Sequence, residues 1–215
     1  LEGTEIGWSR KGPRREHRSG TAESGVPVEV YDYLYKEFNP IAFDAEEWAK
    51  DAGMRYVVYT TKHHDGFVNF DSRLTDYKIT SSASPFGRDI VAELTAACRN
   101  AGLAVGYYYS QPDWHHPDYR TENHDRYIAY LHGQVKELLT SYGKVDLLWF
   151  DGLEGTTADW DSKRLFNTIE SLHPQVIIND RCGLRGDYDT PEQRIGPFQV
   201  ERPWETCMTL SRQWA

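Results

Sequence analysis

No apolar run in this chain of 215 residues approaches the ~18 residues of a membrane-spanning helix, and mean hydropathy is −0.68. Cations are few: 24 Lys and Arg stand against 33 Asp and Glu, giving a net charge of −9 and a pI near 5.4. That balance argues against a nucleic-acid surface, which needs clustered Lys and Arg. Cysteine is scarce, with Cys98, Cys182 and Cys207 widely spaced. Three such residues make neither a disulfide framework nor a zinc pattern, and they read as buried or half-buried free thiols. No His-x-His pair and no His-Glu-x-x-His helix occurs. Those are the usual openings of metal-dependent hydrolases and metalloproteases. Internal repeats and low-complexity segments are absent. The opening Leu1-Glu2-Gly3-Thr4 shows no signal-peptide pattern, so no compartment is read from it.

What is present is aromatic. Hydrophobic residues make up 39% of the chain and aromatics 13%, through 14 Tyr, 8 Phe and 7 Trp. Tyr and Trp pack as apolar bodies while offering a polar edge, which suits cores, interfaces and sugar sites. The first 27 residues read as irregular, with Lys11, Arg14, Arg15 and Arg18 as a solvated basic run. A helix is predicted over 28–38, behind Pro27. Asp44 with Glu47 makes a capping box for a helix running to about Ala52, with Trp48 in its core stripe. Residues 55–61, 103–110, 145–150 and 176–179 read as strands, the first two covered on both faces. Helical patterns at 89–100, 127–142 and 162–172 separate them. A fifth strand is expected near Phe198.

Regular strand–helix alternation predicts an α/β protein with a parallel sheet. A doubly wound sheet often carries a glycine-rich phosphate turn after its first strand, and none follows any strand here. Instead the strands end in polar residues: Lys62-His63-His64-Asp65, Ser110-Gln111, Asp151 and Asn179-Asp180-Arg181. Functional residues at successive strand C-termini are the mark of a (β/α) barrel. Four clear βα units make that barrel partial.

Asp151 is the leading catalytic candidate, since Leu147-Leu148-Trp149-Phe150-Asp151-Gly152 sets a carboxylate where a buried strand leaves the sheet. His63 and His64 can both face one ligand because the strand is ending there. Neutral imidazoles can bind sugar hydroxyls; a metal is the other reading, with Asp113 and His116 as further ligands. Glycoside hydrolysis needs two carboxyl groups flanking one bond. Asp151 could pair with Glu192 or with Glu205, and spacing alone does not choose. Trp8, Trp114 and Trp149 are possible stacking platforms, with Trp149 favoured by its place beside Asp151.

Seven segments occur in one order: Phe38-Asn39-Pro40, Phe43-Asp44-Ala45 with Glu47-Trp48, Thr61-Lys62-His63-His64-Asp65-Gly66-Phe67, Phe86-Gly87-Arg88-Asp89, Tyr108-Tyr109-Ser110, Asp113-Trp114-His115-His116-Pro117 and Trp149-Phe150-Asp151-Gly152. Together they closely resemble the α-L-fucosidases of glycoside hydrolase family 29, over residues 38–214. The resemblance implies a retaining exo-glycosidase on a TIM-like (β/α) barrel, followed in the full-length family by a β-sandwich domain that this sequence lacks. It implies Asp151 as nucleophile and His63, His64, Tyr108, Trp149 and Arg181 as sugar ligands. Thr190-Pro191-Glu192 resembles the segment that carries the acid/base, and Trp8 the aromatic residue near the first strand. Trp204-Glu205-Thr206-Cys207-Met208-Thr209 resembles the branch that prefers α-1,3/1,4 linkages. The implied partner is a fucosylated oligosaccharide or glycoconjugate, with no metal or organic cofactor. Family precedent is a secreted, periplasmic or lysosomal setting. On this reading the 215 residues form one partial catalytic domain whose first and last strands lie outside the sequence, and the isolated piece is expected to fold poorly. A metal-dependent hydrolase and a non-catalytic carbohydrate-binding fragment remain the alternatives.

Overall fold

The computed structural model describes residues 26–50, 53–152, 155–195 and 200–209, together with the backbone of 10–11. Strands β1 (Arg10–Lys11) and β2 (Val26–Pro27) form a short parallel pair. The helix predicted over 28–38 is broken into α1 (Val28–Tyr31) and a separate 3-10 turn, Leu34–Lys36. Val28, Val30 and three tyrosines are weak helix formers. Tyr31 is also drawn inward, its hydroxyl donating to Asp65 Oδ2 at 2.8 Å. Asp44 caps α2 (Ala45–Lys50) as expected, accepting the amides of Glu46 and Glu47. Trp48 departs from expectation: it is 54% exposed, edge-on to Phe43. The buried stripe of α2 is Ala45 and Ala49, four residues apart, and Trp48 falls beside it.

The main sheet contains β3 (Tyr56–Lys62), β4 (Ala104–Tyr109), β5 (Leu147–Phe150) and β6 (Ile177–Ile178). Between them run α3 (Ile90–Asn100), α4 (His124–Ser141) and α5 (Ser162–Leu172). Every pairing is parallel, and the order β3-β4-β5-β6 follows the chain. A doubly wound sheet needs a reversal of order, and these four strands contain none. Right-handed crossovers then place the three helices on one face. Val105, Tyr107, Tyr109, Leu148, Phe150 and Ile178 face them, packed with Leu94, Leu131, Leu138, Leu165 and Ile169. Full burial of each such aliphatic side chain contributes about 1.5–3 kcal/mol.

The opposite face carries Val58, Thr60, Tyr108, Leu147, Trp149 and Ile177. It is more open than the sequence suggests, with Ile177 47% exposed. The residues of β3 before Thr61 are half-buried or exposed rather than covered on both faces. The reason is position: β3 is an edge of the described sheet, and the helices cover one side.

Beyond β6 the sheet continues as isolated pairings. Asp189, Pro191 and Gln193 exchange backbone hydrogen bonds with Pro203, Glu205 and Cys207 at 2.8–3.1 Å, in parallel register. This pairing carries Glu192 and Glu205 on neighbouring extended segments. The strand expected near Phe198 lies outside the described residues.

Candidate active site

Each strand end contributes a side chain to one row. The chain turns back after Lys62, whose antiparallel bridge to Val68 encloses His63-His64-Asp65-Gly66-Phe67. Gly66 has φ +84°, and a Cβ there would stand 2.4 Å from Asp113 Oδ1. Only glycine fits this turn. The His63 ring stacks on Tyr108 at 5.5 Å, and Tyr108 stacks on Trp149 at 5.3 Å. The Arg181 guanidinium lies over the Trp149 ring at 4.6 Å. His63, Tyr108, Trp149 and Arg181 thus come from the ends of β3, β4, β5 and β6 in turn.

Asp151 is the hub of this row. Tyr108 donates its hydroxyl to Oδ2 at 2.5 Å, His64 Nε2 lies 3.5 Å from the same oxygen, and Arg181 Nη1 donates to Oδ1 at 3.1 Å. The same Nη1 donates to Glu192 Oε2 at 2.8 Å. One cation therefore offsets the mutual repulsion of two carboxylates. It also holds their nearest oxygens within about 6 Å of each other. Both carboxylates keep some access to solvent, at 15% and 19% side-chain exposure. Glu205 is engaged elsewhere: its Oε1 accepts the indole N–H of Trp149.

Residues around β6 lock this arrangement. The Asn179 side chain accepts from Phe150 N at 2.9 Å and donates to Phe150 O at 2.8 Å. Asp180 Oδ1 accepts both the amide and the hydroxyl of Thr190. Arg181 donates to the Thr190 carbonyl and hydroxyl as well. Asn179 fixes the backbone leading to Asp151, and Asp180 fixes the segment leading to Glu192. The Asp180 and Arg181 bonds both run through Thr190, which the returning chain brings beside them.

A second buried charge pair lies behind the histidines. Lys62 Nζ meets Asp113 Oδ2 at 3.2 Å and lies 4.8 Å from the centre of the Tyr109 ring. Burial pushes the Lys62 pKa down, with Asp113 opposing the shift. Burial raises that of Asp113, but Lys62, His115 and the His116 amide outweigh it, so the net direction is down. Burial, then His63, then Lys62 hold His64 well below the usual histidine value. Trp114, a candidate platform, is buried and tilted against His64 at 5.2 Å, in a layer behind the site. Trp8 lies outside the described residues.

The four residues of the alternative metal reading, His63, His64, Asp113 and His116, do not form one ligand set among the described residues. Asp113 serves Lys62 and the amides of His115 and His116, while His116 Nδ1 accepts the Asp118 amide. Among the described residues, His63, His64 and Asp151 offer ligand atoms within 4.8 Å of one another. Asp151 there already serves Tyr108 and Arg181. The cysteines are free thiols, Cys98 and Cys182 buried and Cys207 half-buried.

Known proteins resemble this chain in sequence and fold. The family described as Alpha-L-fucosidase matches residues 6–215. The tissue alpha-L-fucosidase of Macaca fascicularis is 30% identical over 224 aligned residues, covering 95% of this chain and 47% of that protein. Alpha-L-fucosidase isoenzyme 1 from Paenibacillus thiaminolyticus superposes with a TM-score of 0.81 at 43% identity, over 88% of this chain and 54% of that one. A glycoside hydrolase family 29 α-L-fucosidase from Bacteroides thetaiotaomicron was trapped as a covalent intermediate with 2-fluoro-fucosyl fluoride in a Glu-to-Gln mutant. It superposes with a TM-score of 0.77 at 33% identity, over 85% of this chain and 49% of that one. The chain spans less than half the length of the curated relatives it matches, from 29% to 49%.

Proposed function

The chain belongs to the α-L-fucosidase family, glycoside hydrolase family 29, and from that premise we propose that it hydrolyses terminal α-L-fucosyl residues with retention of configuration. The observation that carries this reading is the single Arg181 nitrogen shared by Asp151 and Glu192. Retaining enzymes hold their two carboxyl groups about 5–5.5 Å apart. An Asp151 oxygen attacks the anomeric carbon as its bond to the leaving oxygen breaks. Glu192 gives its proton to that oxygen. Water then attacks the fucosyl ester, yields its proton to Glu192, and Asp151 departs as carboxylate. The covalent intermediate trapped in the Bacteroides relative supports this sequence of steps.

His63, His64, Tyr108, Trp149 and Arg181 are the proposed sugar ligands, and Trp8 is a further one carried by resemblance. Glu192 is the proposed acid/base rather than Glu205, because Glu205 is spent on the Trp149 indole. The natural substrate on this reading is a fucosylated oligosaccharide or glycoconjugate, with preference for α-1,3/1,4 linkages. The four-stranded sheet belongs, in the same proposal, to an incomplete (β/α) barrel.

Following the first-formed sugar by proton NMR tests the reading: α-fucose appears before mutarotation, and initial release of the β-anomer would overturn it. Glu192→Ala should slow natural substrates far more than fucosides with activated leaving groups, which need little protonation. External azide should restore its turnover as fucosyl azide. The same azide response in Glu205→Ala, and none in Glu192→Ala, would move the acid/base to Glu205. Exhaustive chelation should leave turnover intact; loss restored by zinc would favour the metal reading.

A further inference from the structure

Ser110 follows β4 and is fully buried. Its Oγ lies 2.6 Å from His64 Nδ1 and 2.6 Å from the Pro112 carbonyl oxygen. A hydroxyl has one proton, and a proline carbonyl can only accept. The Ser110 proton therefore goes to Pro112. The second short contact is satisfied only if His64 supplies the hydrogen, as Nδ1–H. Lys62 Nζ, 3.4 Å from the same carbonyl, holds Pro112 in its accepting role.

Charged and titratable groups near the His64 ring among the described residues include Lys62, His63 and Asp151, with Trp114 tilted against the ring. Burial, His63 and Lys62 disfavour the imidazolium. With its proton on Nδ1, Nε2 presents a lone pair 3.5 Å from Asp151 Oδ2. Left to Asp151 alone, the ring would place its proton on Nε2 to meet the carboxylate. The Ser110–Pro112 relay opposes that choice.

We propose that Ser110 is a positioning residue that fixes His64 as the Nδ1–H tautomer, making Nε2 a hydrogen-bond acceptor for a substrate hydroxyl beside Asp151. The hydroxyl-binding half rests on the fucosidase reading; the tautomer half does not. Two acceptors side by side favour a donor between them. His64 then leaves Asp151 Oδ2 with Tyr108 as its donor, and does not hold the carboxylate in an imidazole hydrogen bond.

Long-range proton–nitrogen NMR on histidine-labelled protein tests this, with the His64 signals assigned by their loss in His64→Asn. Near neutral pH, Nδ1 should be pyrrole-like and Nε2 pyridine-like. Ser110→Ala should shift the proton toward Nε2 and lower kcat/KM roughly tenfold to a hundredfold. Ser110→Cys keeps a donor and a weak acceptor, and should recover part of both signals. An Nε2–H ring or an imidazolium in the wild type overturns the proposal, as does an unchanged tautomer in both variants. A shifted tautomer with unchanged kcat/KM overturns the hydroxyl-acceptor half. Wild type with the stated tautomer and no fucosidase turnover upholds the Ser110 assignment and sinks the fucosidase reading alone. Should Ser110→Ala fail to fold, the wild-type spectrum and Ser110→Cys decide.

Discussion

Two buried cations, Lys62 behind the histidines and Arg181 over the Trp149 ring, are used in opposite ways. Lys62 is paired with one carboxylate, Asp113, and the pair is sealed, with side-chain exposures of 0% and 2%. Arg181 is just as buried, yet its Nη1 is divided between Asp151 and Glu192, both of which reach solvent. Lys62 gains two tyrosine faces and a carbonyl, so its charge is consumed internally. Arg181 leaves both carboxylates partly exposed. A closed ion pair holds a turn in place; a shared, half-open one holds reactive groups ready for a third party.

Substitutions can sharpen or break that contrast. The largest effect belongs to the open pair: Asp151→Ala should cut fucoside turnover by about a thousandfold or more, with the unfolding midpoint little changed. Lys62→Met should instead unfold the protein more easily by about 3–5 kcal/mol, because Asp113 is left charged and dry. Arg181→Met should cost less stability than Lys62→Met in a urea titration, and more turnover. The reverse ranking would erase the distinction between the two pairs. The smallest effect is on acid stability. The folded pKa of Asp113 is lowered, so its contribution is complete above the unfolded value of about 3.9 and is lost as pH falls through the folded one. Unfolding midpoints should decline below about pH 4. Asp113→Asn should lower stability throughout while flattening that acid limb.

Much of this was legible in the chain. The strand read at 145–150 and observed at Leu147–Phe150, the helix at 162–172 and the catalytic-type residues at each strand end follow from local pattern, and the structure brings His63, His64, Tyr108, Trp149, Asp151, Arg181 and Glu192 into one group. What escaped has physical causes. Trp48 reads as core because a six-residue helix gives too few turns to fix which stripe is buried. The openness of the second sheet face is invisible because parallel strands look alike whether one or both faces are covered. Glu192 and Glu205 stand equally well by spacing. Their difference is the partner each takes, Arg181 for Glu192 and the Trp149 indole for Glu205, and no local pattern encodes that. Lys62 and Asp113 carry no mark of being partners either, beyond the glycine at 66 that leaves room for the carboxylate.

Asn179 places its side-chain amide where the next residue of a strand would bond to Phe150. The backbone of Phe150 is thereby tied by a side chain just where β6 ends, one residue before the carboxylate of Asp151. A rung made this way depends on one residue's identity rather than on strand register, so a substitution at 179 would loosen the footing of Asp151 without shifting the strands before it.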